Sequence, residues 1–345
     1  RINLTADIYR KKTKDLLIYA NIPLSLGYAQ AYRNIGSVQN QGLELTLGTT
    51  NIDHRDFKWK SSFNITFNQN KILKLTENQE SILSAAPFDQ YFRTIPAFIS
   101  KVGNQLGMMY GFIWDGVYQY EDFDVSNTGN YVLKDQISTN GNTRANIQPG
   151  DIKFRDINGD KVIDANDYAV IGRGLPVHTG GFTNEFTYKN FDLNIFFQWS
   201  YGNDIINANR YIFEGNVLGR SHLNQFASFA DRWSPTNSDS KIPRGGAGGY
   251  GPTTPTGTNS RVIEDGSYLR LKTVQLGYNF SPKTLRFLKI KSARLFAAAQ
   301  NLLTWTDYSG VDPEVSIFNS VLTPGVDYSA YPRPRTITVG LNLTF

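Results

Sequence analysis

The chain has 345 residues, a formal net charge of +5 and no cysteine, so a disulfide framework and thiolate chemistry are both excluded. Hydrophobic residues make up 40%, yet no apolar run approaches the ~18 residues of a membrane helix, which excludes an α-helical membrane protein. The 35 basic and 30 acidic residues are scattered along the chain, a pattern of solvated loops and turns that predicts no nucleic-acid partner.

The opening stretch, Arg1 to Ile8, already alternates apolar with polar residues, and neither an initiator Met nor a signal peptide precedes it. The chain therefore reads as part of a longer one. Leu43, Leu45 and Leu47 alternate with Glu44, Thr46 and Gly48. Phe57, Trp59, Phe63, Ile65 and Phe67 do the same against Lys58, Lys60, Ser62, Asn64 and Thr66. Period-2 segments follow around 180–188 and 191–200, where Phe196 breaks the pattern, then at 268–280, 292–303 and 336–345. Each segment is a strand with one apolar and one polar face. The last one, Ile337 to Phe345, has about the ten residues that cross a bilayer as a tilted strand and ends on an aromatic.

The connections are of two kinds. Residues 51–56, 189–190 and 281–289 are short, whereas 11–37, 70–177, 201–266 and 305–334 are long. Counting back from Phe345 as periplasmic places every long connection on one side. That is the arrangement of an all-β, transmembrane antiparallel β-barrel with tight periplasmic turns and long extracellular loops. The 22 Phe, 19 Tyr and 5 Trp suit two interfacial girdles. Phe57, Trp59, Tyr188, Phe191, Tyr278, Phe280 and Phe345 fall beside short turns, and Trp199, Trp305 and Tyr308 beside long loops. Polar-face residues such as Asn64, Thr66, Glu185, Asp192 and Asn194 are expected to line the lumen.

One constellation has the look of a site. Asp156, Asn158, Asp160, Asp164 and Asp167 occupy positions 1, 3, 5, 9 and 12 of a calcium loop, with Val162 offering its carbonyl at position 7. Position 6 is Lys161 where the motif has Gly, and Asp167 is shorter than the usual Glu. Two readings fit: a Ca2+ or Mg2+ staple in the 70–177 loop, or an Asx-rich turn whose side chains cap their own backbone. Other candidates carry less. His54, His178 and His222 are far apart, and the glycine run at 245–251 lacks the Lys-Ser/Thr of a phosphate loop. Tyr201, Tyr211, Phe213, Tyr250, Tyr308, Tyr328 and Tyr331 are loop aromatics suited either to sugar stacking or to packing between loops. No acid–base pair or activated nucleophile is evident, so the chain is not expected to be an enzyme.

Four segments carry a family resemblance. They are Gly150 to Asp164 (GDIKFRDINGDKVID), Asp231 to Asn237 (DRWSPTN), Glu264 to Lys272 (EDGSYLRLK), and Ala299 to Trp305 with Gly310 to Glu314 (AQNLLTW, GVDPE). In this order they resemble the C-terminal portion of SusC/RagA-type TonB-dependent outer-membrane transporters of Bacteroidetes. The resemblance runs over most of the chain, but the plug domain, the TonB-contacting segment and the first barrel strands have no counterpart in it. It implies a barrel of roughly 22 strands, with residues 1–345 supplying its C-terminal part. It further implies a multi-pass outer-membrane location in contact with lipid, a SusD-like surface lipoprotein as lid, TonB as energy source through the missing N-terminal part, and oligosaccharide or peptide cargo. The rival reading is a self-contained, eight-stranded structural or adhesion barrel, a size whose interior side chains can fill.

Overall fold

The structure is a computed structural model that describes the chain except for residues 22–29, 35, 76–78, 90–91, 215–222, 246–256, 287–288 and 319. Eight strands dominate it: β1 (Ile2–Thr13), β2 (Ser37–Asp53), β3 (Phe57–Lys74), β4 (His178–Tyr188), β5 (Phe191–Tyr201), β6 (Tyr268–Asn279), β7 (Ser292–Thr306) and β8 (Thr336–Thr344). They form one antiparallel sheet in chain order. All eight coincide with the alternating segments of the sequence. β2 and β3 are longer than their periodicity indicates, because pairing continues from Gln41–Gln69 up to Ser37–Lys74, past the last apolar row.

The register makes the two faces continuous. One row across the sheet reads Leu4, Leu47, Phe63, Phe182, Phe197, Leu271 and Leu303. A neighbouring row on the other face reads Thr5, Thr46, Asn64, Gly181, Gln198, Arg270 and Thr304. The apolar face is open to its surroundings, with Ile8 85% and Ile337 76% exposed. Leaving such a face in water forfeits about 1.5–3 kcal/mol for each large side chain, so it is built for hydrocarbon. Phe196, the one ring on the polar face of β5, has a seat: a Cβ on Gly181 would lie 2.8 Å from its ring.

A bulge interrupts strict alternation where it matters. Phe196 pairs with Thr273 but Phe197 with Leu271, so Lys272 is an extra residue in β6. β7 absorbs the shift with Asn301 at φ 54°, a left-handed conformation that Asn tolerates better than most residues. Even-numbered Val274 and Leu276 lie on the apolar face; uninterrupted alternation would place Lys272 and Arg270 there too. The bulge puts Leu271 and Leu269 on that face and Arg270 on the polar one.

Short connections (54–56, 189–190 and 280–291) lie at one end of the sheet and long ones (14–36, 75–177, 202–267 and 307–335) at the other. Phe57, Tyr188, Phe191 and Tyr278 form a line of rings across the turn end, with Phe191 and Tyr278 centred 4.8 Å apart. Trp199 and Trp305 flank Leu269 at the loop end. Tyr308 corrects the girdle expectation: it is 5% exposed, within the loops. The long connections are not irregular either. The 75–177 segment contains a four-stranded sheet from Ser81–Ala85, Pro96–Lys101, Met108–Phe112 and Tyr168–Arg173. The sheet of β1 to β8 does not close: β1 pairs within it only with β2, and β8 only with β7. An eight-stranded closed barrel is thus not what these residues form.

The facing is testable. In lipid vesicles, Leu47→Arg on the central apolar row should lower unfolding stability by about 2–4 kcal/mol. Thr46→Arg, one residue away on the other face, should change it by far less in the same denaturant titration.

Candidate functional site

Three long loops fold over the end of the sheet around one apolar core. Phe92, Phe98 and Met109 come from the first, Ile206, Tyr211, Ile212 and Val262 from the second, and Val326 from the third. A short three-stranded sheet, Asp204–Asn207 between Ile263–Asp265 and Val326–Asp327, joins the last two loops. The segments that carry the resemblance pair off in space. The Trp233 ring covers Gly150, where an added Cβ would lie 2.3 Å from it; Gly150 itself has φ +86°. Trp233 Nε1 donates to Gln119 Oε1 at 3.2 Å, and Arg244 Nε donates to the buried Asp151 at 2.6 Å.

The second pair is ionic. Arg270, 2% exposed, donates to Glu314 Oε2 at 2.5 Å and to Asp312 Oδ1 at 2.6 Å. Lys272 and Arg333 approach Glu314 at 3.4 Å each. Burial opposes ionisation of Asp312, but the Arg270 hydrogen bond and charge, with the backbone N–H groups of Glu314 and Arg333, outweigh it. The Asp312 carboxyl is held below its ordinary value. This cluster ties the 307–335 loop to the polar face of β6.

A third network crosses the second loop. Glu214 accepts from Arg210 at 2.8 Å, Arg261 at 2.6 Å and Ser228 at 2.8 Å. Glu264 accepts from Arg210 at 3.1 Å, Asn207 at 3.1 Å and Ser309 at 2.9 Å. Beside it lies a cavity of about 810 Å³ whose walls include Glu214, Glu264, Asp265, Asp307, Asp327, Arg210, Phe213 and Phe226. Arg210 and Glu214 are an i,i+4 pair, but no local pattern announces Arg210–Glu264 and Arg261–Glu214, whose members stand 54 and 47 residues apart.

The calcium-like loop is well ordered. Asp156 accepts from the backbone N–H of Gly159 and Lys161, each at 2.7 Å, and from Ser138 Oγ at 3.0 Å. Asn158 Oδ1 accepts from Asp160 N at 3.0 Å, and Asp160 Oδ1 from Val162 N at 2.8 Å. Asp164 Oδ1 accepts from Asn166 N at 2.7 Å. Asp167, fully buried, accepts from Ile157 N at 2.8 Å and Asp164 N at 3.0 Å, tying the two ends of the loop together. Desolvation raises the Asp156 pKa, but these N–H donors prevail and hold the carboxyl below its ordinary value. Lys161 adopts φ 66°, the turn conformation the motif reserves for Gly. Ile163 anchors the loop against Phe112, Ile152 and Phe154. Among the described residues no three His, Cys, Asp or Glu side chains converge in a metal-holding cluster.

Of the loop aromatics, Tyr211 and Tyr308 are buried: Tyr308 donates to Asp327 at 2.6 Å, and Tyr211 Oη accepts from Asn259 N at 2.9 Å. Tyr328 packs on Phe88, Phe213 lines the cavity, and Tyr331 is 92% exposed. Tyr201 stacks on His178, whose Nδ1 accepts from Trp199 Nε1 at 3.2 Å. His54 lies at the opposite, turn end of the sheet. Tyr250 and His222 lie outside the described residues.

No family model matches the chain. TonB-dependent receptor P3 of Formosa agariphila is 35% identical over 350 aligned residues, covering 100% of this chain and 32% of the relative. TonB-dependent receptor SusC of Bacteroides thetaiotaomicron is 28% identical over 352 residues, covering 100% of this chain and 30% of the relative. The homologues of this chain over its whole length are thus TonB-dependent receptors, SusC among them. A solved structure of the RagAB peptide transporter shares the fold, with a TM-score of 0.74 at 24% identity over 100% of this chain and 34% of that one. The chain spans about a third of the length of the curated relatives it matches. The receptor's open sheet and large loops are thus a part of a TonB-dependent transporter barrel.

Asp312 gives the loop attachment a pH signature. Its folded pKa is depressed, so its contribution is complete above the ordinary carboxylate range and is lost as pH falls through the lowered value. Protease resistance of the 307–335 loop should therefore persist at neutral pH and collapse only in strong acid. Arg270→Gln should move that collapse to higher pH and destabilise the loop by about 3–5 kcal/mol.

Proposed function

We propose that this chain is part of the wall and extracellular face of an outer-membrane importer for peptide or glycan oligomers, energised through TonB and working with a SusD-like surface lipoprotein. The observation that carries the reading is the two-faced sheet: an unbroken apolar face for lipid, a polar face for a lumen, and every long loop at one end. The whole-chain likeness to TonB-dependent receptors supports it, and the peptide transporter of the same fold supports peptides as one cargo class. The loops folded around a shared core offer the lid a firm seat, and the carboxylate-rich cavity lies among them. The chain's own work is conformational, with no bond made or broken.

A strain lacking the receptor should lose uptake of one class of labelled oligomer while others enter normally. A protonophore that collapses the inner-membrane gradient should abolish the same uptake in the parent strain. Unchanged entry of every peptide and glycan tested, in both arms, rejects the importer reading.

We also propose that the 156–167 loop takes a structural Ca2+ or Mg2+. The chemistry of the donors supports this: Asp156, Asn158, Asp160, Asp164, Asp167 and the Val162 carbonyl are hard oxygens, and carboxylate oxygens that accept one N–H keep a further lone pair. Added Ca2+ should raise the protease resistance of this loop in the intact receptor, and Asp160→Ala should remove the effect. A digestion rate indifferent to Ca2+ and Mg2+ leaves the loop as a self-capped turn.

A further inference from the structure

Above its apolar rows the outward face of β1, β2 and β3 changes character abruptly. Ile8, Leu43 and Phe67 form the last apolar row before the loop end. The next outward row is Arg10, Gln41 and Gln69, and the one beyond it Lys12, Gln39 and Lys71. Two residues of strand advance about 6.6 Å, so both rows lie within the depth of a lipid headgroup layer. All three cations are exposed. No Asp or Glu occupies an outward position anywhere on these three strands, whereas Asp7 and Glu44 both fall on the inner face.

The amides form a hydrogen-bonded line. Arg10 Nε donates to Gln39 Oε1 at 2.8 Å, Gln39 Nε2 to Gln41 Oε1 at 3.0 Å, and Gln41 Nε2 to Gln69 Oε1 at 3.3 Å. The line fixes Arg10 and leaves both of its Nη groups without a partner among the described residues. A guanidinium so held presents a planar fork suited to phosphate. The side-chain amides suit sugar hydroxyls, and the apolar rows directly below suit acyl chains.

We propose that this collar is a binding site for a phosphate-bearing glycolipid of the leaflet that surrounds the loop end. Charge complementarity and continuity with the apolar face select a lipid over a soluble anion, because the phosphate is delivered at the height where the hydrocarbon ends. Arg10 and the two lysines hold the phosphate, and Gln41 and Gln69 hold the sugar. The proposal rests on the outer-membrane reading of the chain.

The test uses the full receptor that carries this chain, purified from outer membranes in detergent. Its binding of phosphorylated lipid A is compared with that of dephosphorylated lipid A by native mass spectrometry. The wild type should prefer the phosphorylated form, and the triple variant Arg10→Gln, Lys12→Gln, Lys71→Gln should lose that preference, on the order of tenfold or more for three charges. An inner-face variant that removes two cations from the same strands, Lys11→Gln with Lys60→Gln, should retain it. Millimolar inorganic phosphate should not displace the lipid. If folding of the triple variant suffers, Arg10→Gln alone should still weaken binding and Arg10→Lys should restore part of it. Equal affinity of wild type and Arg10→Gln for the phosphorylated lipid overturns the proposal, as does equal affinity of the wild type for the two lipids. Displacement by phosphate, or a change in oligomeric state in place of lipid loss, overturns it in favour of a free anion or a protein neighbour. Absence of the wild-type receptor from the outer-membrane fraction counts instead against the outer-membrane reading.

Discussion

Hydrocarbon offers a backbone no hydrogen-bond partner, so every N–H and C=O that enters it must already be paired within the protein. That constraint governs the rest of this chain. It forces eight consecutive strands into one antiparallel register, and the pleat then sends alternate side chains to opposite faces. A slip of one residue anywhere would exchange the faces, placing Asn64 and Glu185 in lipid and Phe63 and Phe186 in the lumen. The pattern is therefore selected at every row, which is why the strands are visible in the sequence at all.

The bulge in β6 shows the same constraint handled at a boundary. Arg270 and Lys272 share the numerical parity of Val274 and Leu276, and unbroken alternation would carry two cations to the lipid side. One extra residue, matched by the left-handed Asn301 in β7, reverses the parity above Val274. Leu269 and Leu271 then continue the apolar face, and Arg270 arrives on the inner side where Asp312 and Glu314 meet it. The segments on either side of that contact, Tyr268 to Lys272 and Gly310 to Glu314, are thus two halves of one attachment. The resemblance marked them in the sequence without giving a reason for their spacing.

Legibility follows from how local each interaction is. All eight strands, the short turns and the end at which the long loops gather were readable from a period of two residues. The limits of β2 and β3 were not, because among their outer pairs only Val38–Ile72 is apolar, and a single pair sets no period. Inside the long loops the strands are as short as two residues, too brief to establish alternation, and their core comes from residues in three separate connections. Tyr308 looked like a girdle ring by position alone; its hydroxyl is drawn inward by Asp327, nineteen residues away. In the candidate calcium loop the residue types and spacing were legible. The backbone capping around Asp156 and Asp167 emerged only with the coordinates.

Long connections cost little extra closure entropy as they lengthen, but an open coil at the mouth of a barrel would give a partner nothing fixed to rest on. This chain stabilises its loops in two chemically distinct ways. Their shared interior is apolar and drawn from three of the long connections, and the 75–177 connection adds two apolar clusters of its own. Their junction with the sheet is ionic at the buried Arg270 and apolar where Val38 and Ile72 pack with Leu75, Ile82 and Leu106, while Glu264 links the second connection to Ser309 of the third. Removing one partner from a buried ion pair leaves an uncompensated charge, so the Arg270 cluster and the apolar contact at Val38 and Ile72 together hold the loop body to the sheet.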